Sequence, residues 1–211
     1  MTQTGAGSHQ IFVIFSKGLP VCWKFTFKHP YQFWLFAIFL PVILGGGFQW
    51  LYILLGDHTF NGDIPLYYFF IVLLPSIFFG GLEEIGWRGF LQEYFMGKVN
   101  LVALAVLIGI IWGLWHAPLF YIEEVSHYSS DFFPFMLGAI MFSTYLTWLY
   151  AKTNSIVLVV CFHAAINASG SIGLGLLFEN TLLAYGIIIG FMMIGVLMLI
   201  QYEKSQKISK K

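Results

Sequence analysis

Residues 101–122 read LVALAVLIGIIWGLWHAPLFYI, a run of 22 residues that contains no Asp, Glu, Lys or Arg. A helix that crosses the hydrocarbon core of a bilayer needs about 20 such apolar residues. The rest of the chain is similar, since 59% of its 211 residues are hydrophobic and 9% are charged. A soluble globular domain has an apolar share nearer about 45–50%. The sequence therefore predicts a polytopic membrane protein.

Six apolar windows, separated by short polar breaks, are long enough to cross a membrane. They lie near residues 31–56, 65–95, 101–122, 132–151, 155–178 and 182–202. We expect an all-α transmembrane helix bundle of about six spans, in which residues 31–202 form one membrane domain. Residues 1–30 are then a cytoplasmic N-terminal segment, and residues 203–211 are a basic cytoplasmic tail.

The basic residues predict the orientation of this bundle. One set of alternating loops and ends carries all ten Lys and Arg residues: Lys17, Lys24, Lys28, Arg88, Lys98, Lys152, Lys204, Lys207, Lys210 and Lys211. The opposite loops carry only acidic charges: Asp57, Asp63, Glu123, Glu124, Asp131 and Glu179. Because cytoplasmic loops are enriched in Lys and Arg, we expect both termini to be cytoplasmic. The net charge of zero gives no indication of a nucleic-acid partner.

Charged groups within the second apolar window are the first candidate functional residues, because a bilayer penalises such groups unless they have a role. Glu83 and Glu84 are adjacent, and Arg88 lies four positions after Glu84. Residues four apart share a helix face, so we expect Glu84 to pair with Arg88. Glu83 is then available as a general base. The alternative is a helix end at the membrane interface whose charges are simply solvated.

Two later windows contain histidines that can serve as partners. Trp112 and His116 are four residues apart and share a helix face. His163 and Asn167 have the same spacing, which offers an imidazole and a carboxamide one turn apart. Such donors can hold a developing oxyanion. The alternative is that these polar side chains only crosslink packed helices.

Together, Glu-Glu-x-x-x-Arg, aromatic-x-x-x-His and His-x-x-x-Asn resemble the CPBP family of intramembrane proteases, the Abi-type bacterial proteins related to CAAX prenyl endopeptidases. The resemblance covers about residues 70–175. Trp112 stands where the family usually has phenylalanine. The resemblance implies an integral protein of a bacterial plasma membrane that hydrolyses a peptide bond of a membrane-associated peptide or protein.

The resemblance also implies a role for each motif residue. Glu83 and His116 match the pair that activates the attacking water, and His163 and Asn167 match the pair that stabilises the oxyanion. Three further residues have supporting positions: Glu84, Arg88 and Trp112.

Two mechanisms are compatible with these residues. Glu83, His116 and His163 can supply three ligands to a divalent metal such as Zn and leave a fourth position for water. The same side chains also serve without a cofactor. The sequence contains no His-Glu-x-x-His motif, which favours the metal-free mechanism.

Three other functions compete with this interpretation. Asn167-Ala168-Ser169-Gly170 is one residue away from the Gly-x-Ser-Gly pattern of rhomboid-like serine proteases, with Ser169 as nucleophile. Buried Glu and His residues can also relay protons or ions in a small transporter. A non-catalytic immunity or scaffold protein of the same fold is the third alternative.

The depth of the candidate residues sets a geometric condition. At about 1.5 Å per residue from the predicted cytoplasmic ends, Glu83 and His163 lie in the inner half of the membrane and His116 lies beyond the midplane. For these residues to converge, we expect the second helix to run through Glu83 to about Phe95 and the third to begin after Leu101. We also expect a water-accessible cavity that opens to the cytoplasm.

Overall fold

The computed structural model describes residues 9–15, 19–56, 64–125, 127–128, 130–174 and 181–209. Some charged residues that support the predicted orientation lie outside this part of the chain: Lys17, Asp57, Asp63, Glu179, Lys210 and Lys211. The division of the chain into an N-terminal segment, a membrane domain and a tail stays a prediction.

Helices joined by short connections make up the described membrane domain. In chain order they are α1 Tyr31–Gly56, α2 Tyr68–Phe78, α3 Gly81–Phe95, α4 Leu101–His116, α5 Phe132–Thr153, α6 Ile156–Ser171 and α7 Leu182–Ser209. A 3₁₀ turn, Ala117–Tyr121, continues α4. The predicted all-α bundle is confirmed for this domain.

A two-stranded hairpin precedes the helices and was not predicted. Strand β1, His9–Phe15, pairs in antiparallel fashion with β2, Leu19–Phe25, from His9 opposite Phe25 to Phe15 opposite Leu19. The two segments are rich in Ile, Val and Phe, which favour extended conformation.

The six predicted windows correspond to these helices. Four helices are long and apolar enough to cross a membrane: α1, α4 with its 3₁₀ turn, α5 and α7. Helices α2 and α3 form a pair bent by 40°, which together pass the same test. Helix α6 has 16 residues, so its length is about 24 Å, less than the roughly 30 Å hydrocarbon core of a bilayer. About six spans are therefore consistent with the described helices.

Two details differ from the sequence-based expectations. The third span begins at Leu101, not after it, because Asn100 caps α4 with its Oδ1 accepting from the N–H of Ala103 at 2.7 Å. The second span reaches Phe95 as expected, but it is interrupted between Phe78 and Gly81.

Helix α5 lies at the centre of the bundle, where it packs against α4 on one side and α7 on another, while α6 packs against α1 and α2. Small residues permit these close approaches. A Cβ placed on Gly109 of α4 would lie 2.6 Å from Ile140 Cα, and one on Gly195 of α7 would collide with Thr144. The bundle thus brings α3, α4 and α6, which carry the three motifs, around α5.

Candidate active site

The four residues predicted to be catalytic line one cavity of about 870 Å³: Glu83, His116, His163 and Asn167. Trp112 lines it as well, and apolar residues such as Phe135 and Phe142 form other parts of the wall. The cavity therefore combines polar groups from three helices with an apolar lining, which is typical of sites for peptides or small molecules.

The break between α2 and α3 positions Glu83 at this cavity. Gly80 has φ +126°, a conformation that side-chain-bearing residues rarely adopt, and the 3₁₀ turn Gly81–Glu83 follows it directly. A Cβ on Gly80 would collide with Asn167 Nδ2 and lie 3.2 Å from His163 Nε2. Glycine is therefore required here both by the backbone and by the close approach of two motif side chains.

The Glu83 carboxylate is held by two tryptophans. Its Oε2 accepts hydrogen bonds from Trp87 Nε1 and Trp112 Nε1, each at 3.2 Å. Trp87 lies four residues after Glu83, whereas Trp112 lies on α4, so the carboxylate connects two helices. Both bonds are to Oε2, and Oε1 is left for other partners in the cavity.

Glu84 has a different environment from its neighbour. Its side chain is fully buried, with Oε2 2.8 Å from Arg88 Nε and Oε1 2.8 Å from His163 Nδ1. The pairing of Glu84 with Arg88 predicted from their spacing is therefore present. The contact with His163 joins the first motif to the third.

Arg88 is also fully buried, and it is therefore not one of the loop residues that report membrane orientation. Its guanidinium donates to Ser143 Oγ at 3.2 Å and to Thr147 Oγ1 at 3.0 Å, both on α5. A buried charge needs both a counter-charge and hydrogen-bond partners. Glu84 supplies the first, and the two hydroxyls of α5 supply the second.

His116 ends α4 at the outer part of the cavity. Its Nδ1 lies 2.9 Å from the carbonyl oxygen of Trp112, an acceptor only, so Nδ1 carries a proton and donates it. In the neutral imidazole Nε2 is then an acceptor. Trp112 thus contacts both candidate residues: its indole Nε1 donates to Glu83, and its backbone carbonyl accepts from His116.

His127 is a second imidazole at this end of the cavity, in the connection between α4 and α5. Its ring centroid lies 6.3 Å from that of His116 and 5.1 Å from that of Phe135. Partial burial and the nearby charge of His116 lower the pKa of His127 below its ordinary value. The neutral form of His127 is therefore favoured in the folded protein.

His163 and Asn167 project from α6 towards the break in the second span. The Nδ1 atom of His163 faces the Glu84 carboxylate, so it donates there, while Nε2 lies beside Gly80. Asn167 donates from Nδ2 to the carbonyl oxygen of Phe79 at 3.1 Å. Each side chain thus has one donor committed to structure. Asn167 retains its second amide N–H, and His163 can donate from Nε2 only when both ring nitrogens are protonated.

The donors suggested for a metal do not form a metal site. Among the described residues, no group of three or more His, Cys, Asp and Glu side chains is arranged to hold a metal ion. The Nδ1 atoms of His163 and His116 are engaged by the Glu84 carboxylate and the Trp112 carbonyl oxygen, and both rings pack against the Trp112 indole, with centroids 5.0 Å and 5.8 Å from it. Glu83, His116 and His163 therefore do not fit a shared zinc centre in this arrangement.

The hydroxyl of Ser169 has a structural role, because it is hydrogen-bonded within its own helix. Its Oγ is buried and donates to the carbonyl oxygen of Ala165 on its own helix at 2.7 Å. A serine nucleophile needs a base that accepts its proton. The geometry of Ser169 gives no support to the rhomboid-like alternative.

The site differs from the expected one in how its parts converge. The cavity wall includes Leu119 and Ser130 from the connection after α4, and Ser171 and Gly173 at the end of α6. These segments lie at the end of the bundle opposite the termini, whereas we expected the cavity to open at the end that carries the termini. The candidate residues share this cavity because the second span bends and because the cavity is long enough to reach all of them. A late start of α4 is not needed.

Several residues of the site were missed from the sequence. Trp87 is spaced four residues from Glu83, a visible signal. Ser143 and Thr147 are likewise four apart in a largely apolar span, so they share a helix face that can be directed at a buried partner. The adjacent glycines Gly80 and Gly81 lie shortly before the acidic pair, and two glycines within an apolar window indicate a break in the helix.

Comparisons with known proteins agree with the motif pattern. A family model described as type II CAAX prenyl endopeptidase Rce1-like matches residues 65–169. This range contains all seven motif residues named above. The CAAX prenyl protease 2 of Methanococcus maripaludis is 31% identical over 144 residues, which are 63% of this chain and 49% of that protein. The chain thus aligns with about half the length of this curated relative.

Proposed function

Because the chain belongs to the family of Rce1-like type II CAAX prenyl endopeptidases, we propose that it is an intramembrane endopeptidase. The observation that carries this proposal is the arrangement of Glu83, His116, His163 and Asn167 around a single cavity inside a helix bundle. Its substrate is a membrane-associated peptide or protein. The curated relative is named as a prenyl protease, and for this chain we propose only the wider substrate class.

Water activation is the role of Glu83 and His116. Oε1 of Glu83 is outside the two indole hydrogen bonds, and Nε2 of His116 is an acceptor because Nδ1 donates to Trp112. A water between these groups can transfer a proton to one of them as its oxygen attacks the scissile carbonyl carbon. The same group then returns the proton to the leaving amine.

Stabilisation of the tetrahedral oxyanion is the role of His163 and Asn167. The free amide N–H of Asn167 and the Nε2 of His163 both lie beside Gly80, where no side chain separates them. Donation from His163 Nε2 requires the imidazolium form. The Glu84 carboxylate at 2.8 Å from Nδ1 is placed to accompany that positive charge, and Arg88 holds Glu84 in position.

The proposed reaction uses no metal, since the described donor side chains do not gather around a common centre. Glu83 and His116 supply proton transfer, and His163 and Asn167 supply electrostatic stabilisation. Glu84, Arg88 and the two indoles are positioning groups.

The proposal is tested by substitution of the two water-activating residues. Cells that express the wild-type chain, Glu83→Gln or His116→Ala are compared for peptide termini in the cell envelope by mass spectrometry. We expect new termini with the wild type and their loss with either variant. Glu124→Gln, at an exposed acid that does not line the cavity, is the matched control and retains cleavage. Equal cleavage by wild type, Glu83→Gln and His116→Ala would refute the proposal.

A further inference from the structure

The cavity wall is built from one end of the bundle. Apart from Phe79 and Gly80 at the break in the second span, its residues outside the helices come from two segments: the connection between α4 and α5, which contributes Leu119, His127 and Ser130, and the end of α6, which contributes Gly173 and Leu174. Both segments lie at the end where α4 and α6 finish and where α5 begins. Of the described residues that connect helices at the other end, none is among those that line this cavity.

Charge distinguishes the two ends of the bundle. The end that carries the termini has the described basic residues Lys28, Lys98, Lys152, Lys204 and Lys207. The connection between α4 and α5, which borders the cavity, contains no Lys or Arg. Its charged residues are all acidic: Glu123, Glu124 and Asp131. Arg88 is buried and is not exposed at either end, so the difference in basic residues between the two ends does not depend on it.

The enrichment of Lys and Arg in cytoplasmic loops assigns the cavity end to the opposite side of the membrane. We propose that the cavity opens to the extracytoplasmic face and that the substrate enters from that side. This inference rests on the proposed function for the nature of the substrate, which is then a membrane-associated peptide or protein already exposed outside the cytoplasm. The direction of access itself rests on the cavity wall and on the charges.

Water also has to reach Glu83 from this side. His116 is about 22 Å along α4 from its start at Leu101, so it lies close to the cavity mouth. His163 is about 10 Å along α6 from Ile156 and lies deeper. Trp112 lies between them and contacts both rings. The candidate residues thus extend inward from the extracytoplasmic end.

Cysteine accessibility tests the proposal without any need for a substrate. Three serines are replaced one at a time in a full-length Cys22→Ser/Cys161→Ala background: Ser130→Cys at the mouth, Ser76→Cys inside the cavity and Ser205→Cys at the end of α7. Intact cells are treated with a membrane-impermeant maleimide. We expect Ser130→Cys and Ser76→Cys to be labelled, and Ser205→Cys to be labelled only after the cells are permeabilised.

The opposite pattern overturns the inference. Labelling of Ser205→Cys but not Ser130→Cys in intact cells would reverse the orientation. Labelling of Ser76→Cys only after permeabilisation, or in denatured protein alone, would show that its cavity position is not reached from outside. If Ser76→Cys does not insert, Ser171→Cys, which also lines the cavity and is exposed, takes its place. Loss of proteolysis in Glu83→Gln is measured separately, so failure of access and failure of the proposed reaction are distinguishable.

Discussion

Glu84 and His163 are 79 positions apart in the chain, yet Oε1 of one lies 2.8 Å from Nδ1 of the other, with both side chains buried. The same carboxylate binds Arg88 through its second oxygen. Glu84 is therefore the point at which α3 and α6 are fixed relative to each other. Adjacent glutamates have separate tasks, because Glu83 faces the cavity and Glu84 faces the interior.

Glu84→Gln is predicted to destabilise the fold strongly. The substitution leaves the Arg88 guanidinium buried without its counter-charge, and removing one partner of a buried ion pair costs about 3–5 kcal/mol. Thermal unfolding in detergent, followed by far-ultraviolet circular dichroism, measures this loss. Glu123→Gln, an exposed acid, is the control and should change stability by about 0.5 kcal/mol or less. Similar unfolding temperatures for the two variants would contradict the role of Glu84.

Trp112→Phe is predicted to lower kcat/KM of the folded protein about tenfold. The variant keeps an aromatic ring but removes one of the two hydrogen bonds to Glu83 Oε2, and a hydrogen bond to a charged group contributes about 1.5–3 kcal/mol. Adding Trp87→Phe removes the second bond and should reduce activity further.

The control for this series is Trp50→Phe, since Trp50 is an exposed indole on α1. It should have wild-type kinetics. A Trp87→Phe/Trp112→Phe double variant with wild-type kcat/KM would show that the indoles do not position the carboxylate.

Spacing along the sequence predicted those parts of the site that lie on one helix. The four-residue interval predicted the Glu84–Arg88 pair, and the lengths of the apolar windows predicted the helices that cross the membrane. The sequence also indicates where α4 begins, because Asn100 precedes the apolar run and asparagine is a favourable N-cap residue. Local signals of this kind require no knowledge of how helices pack.

Contacts between helices were not accessible in the same way. The hydroxyls of Ser143 and Thr147 reach Arg88 only because α5 is central in the bundle, and His163 reaches Glu84 only because the second span bends. The depth count assumed straight helices at a uniform 1.5 Å per residue, whereas α3 contains a 3₁₀ turn and the π-helical segment Trp87–Gln92. Such irregular segments change both the rise and the direction of side chains.

Gly80→Ala is predicted to abolish proteolysis by the folded protein. The new Cβ would collide with the Asn167 amide and approach His163 Nε2 to 3.2 Å, so both oxyanion donors would be displaced. Gly97→Ala is a matched control: Gly97 also has positive φ, +83°, but its Cβ would meet nothing within 4 Å. The control should lose about 1–2 kcal/mol of stability and retain activity per folded molecule. Equal activities of the two variants would show that the clash does not matter.

The acid sensitivity of folding is predicted to depend on His127. Burial and the charge of His116 lower its pKa in the folded state, so the unfolded chain binds a proton more readily than the folded protein. The stabilisation due to neutral His127 is present above the unfolded pKa of about 6.5 and is lost as the pH falls through and below that value. His127→Gln should therefore lose less stability than the wild type between pH 7.5 and pH 5. Thermal unfolding in detergent at the two pH values measures the difference, with His9→Gln, at the N-terminal end of the hairpin, as the control. An unchanged acid response in His127→Gln would mean that other groups set this dependence.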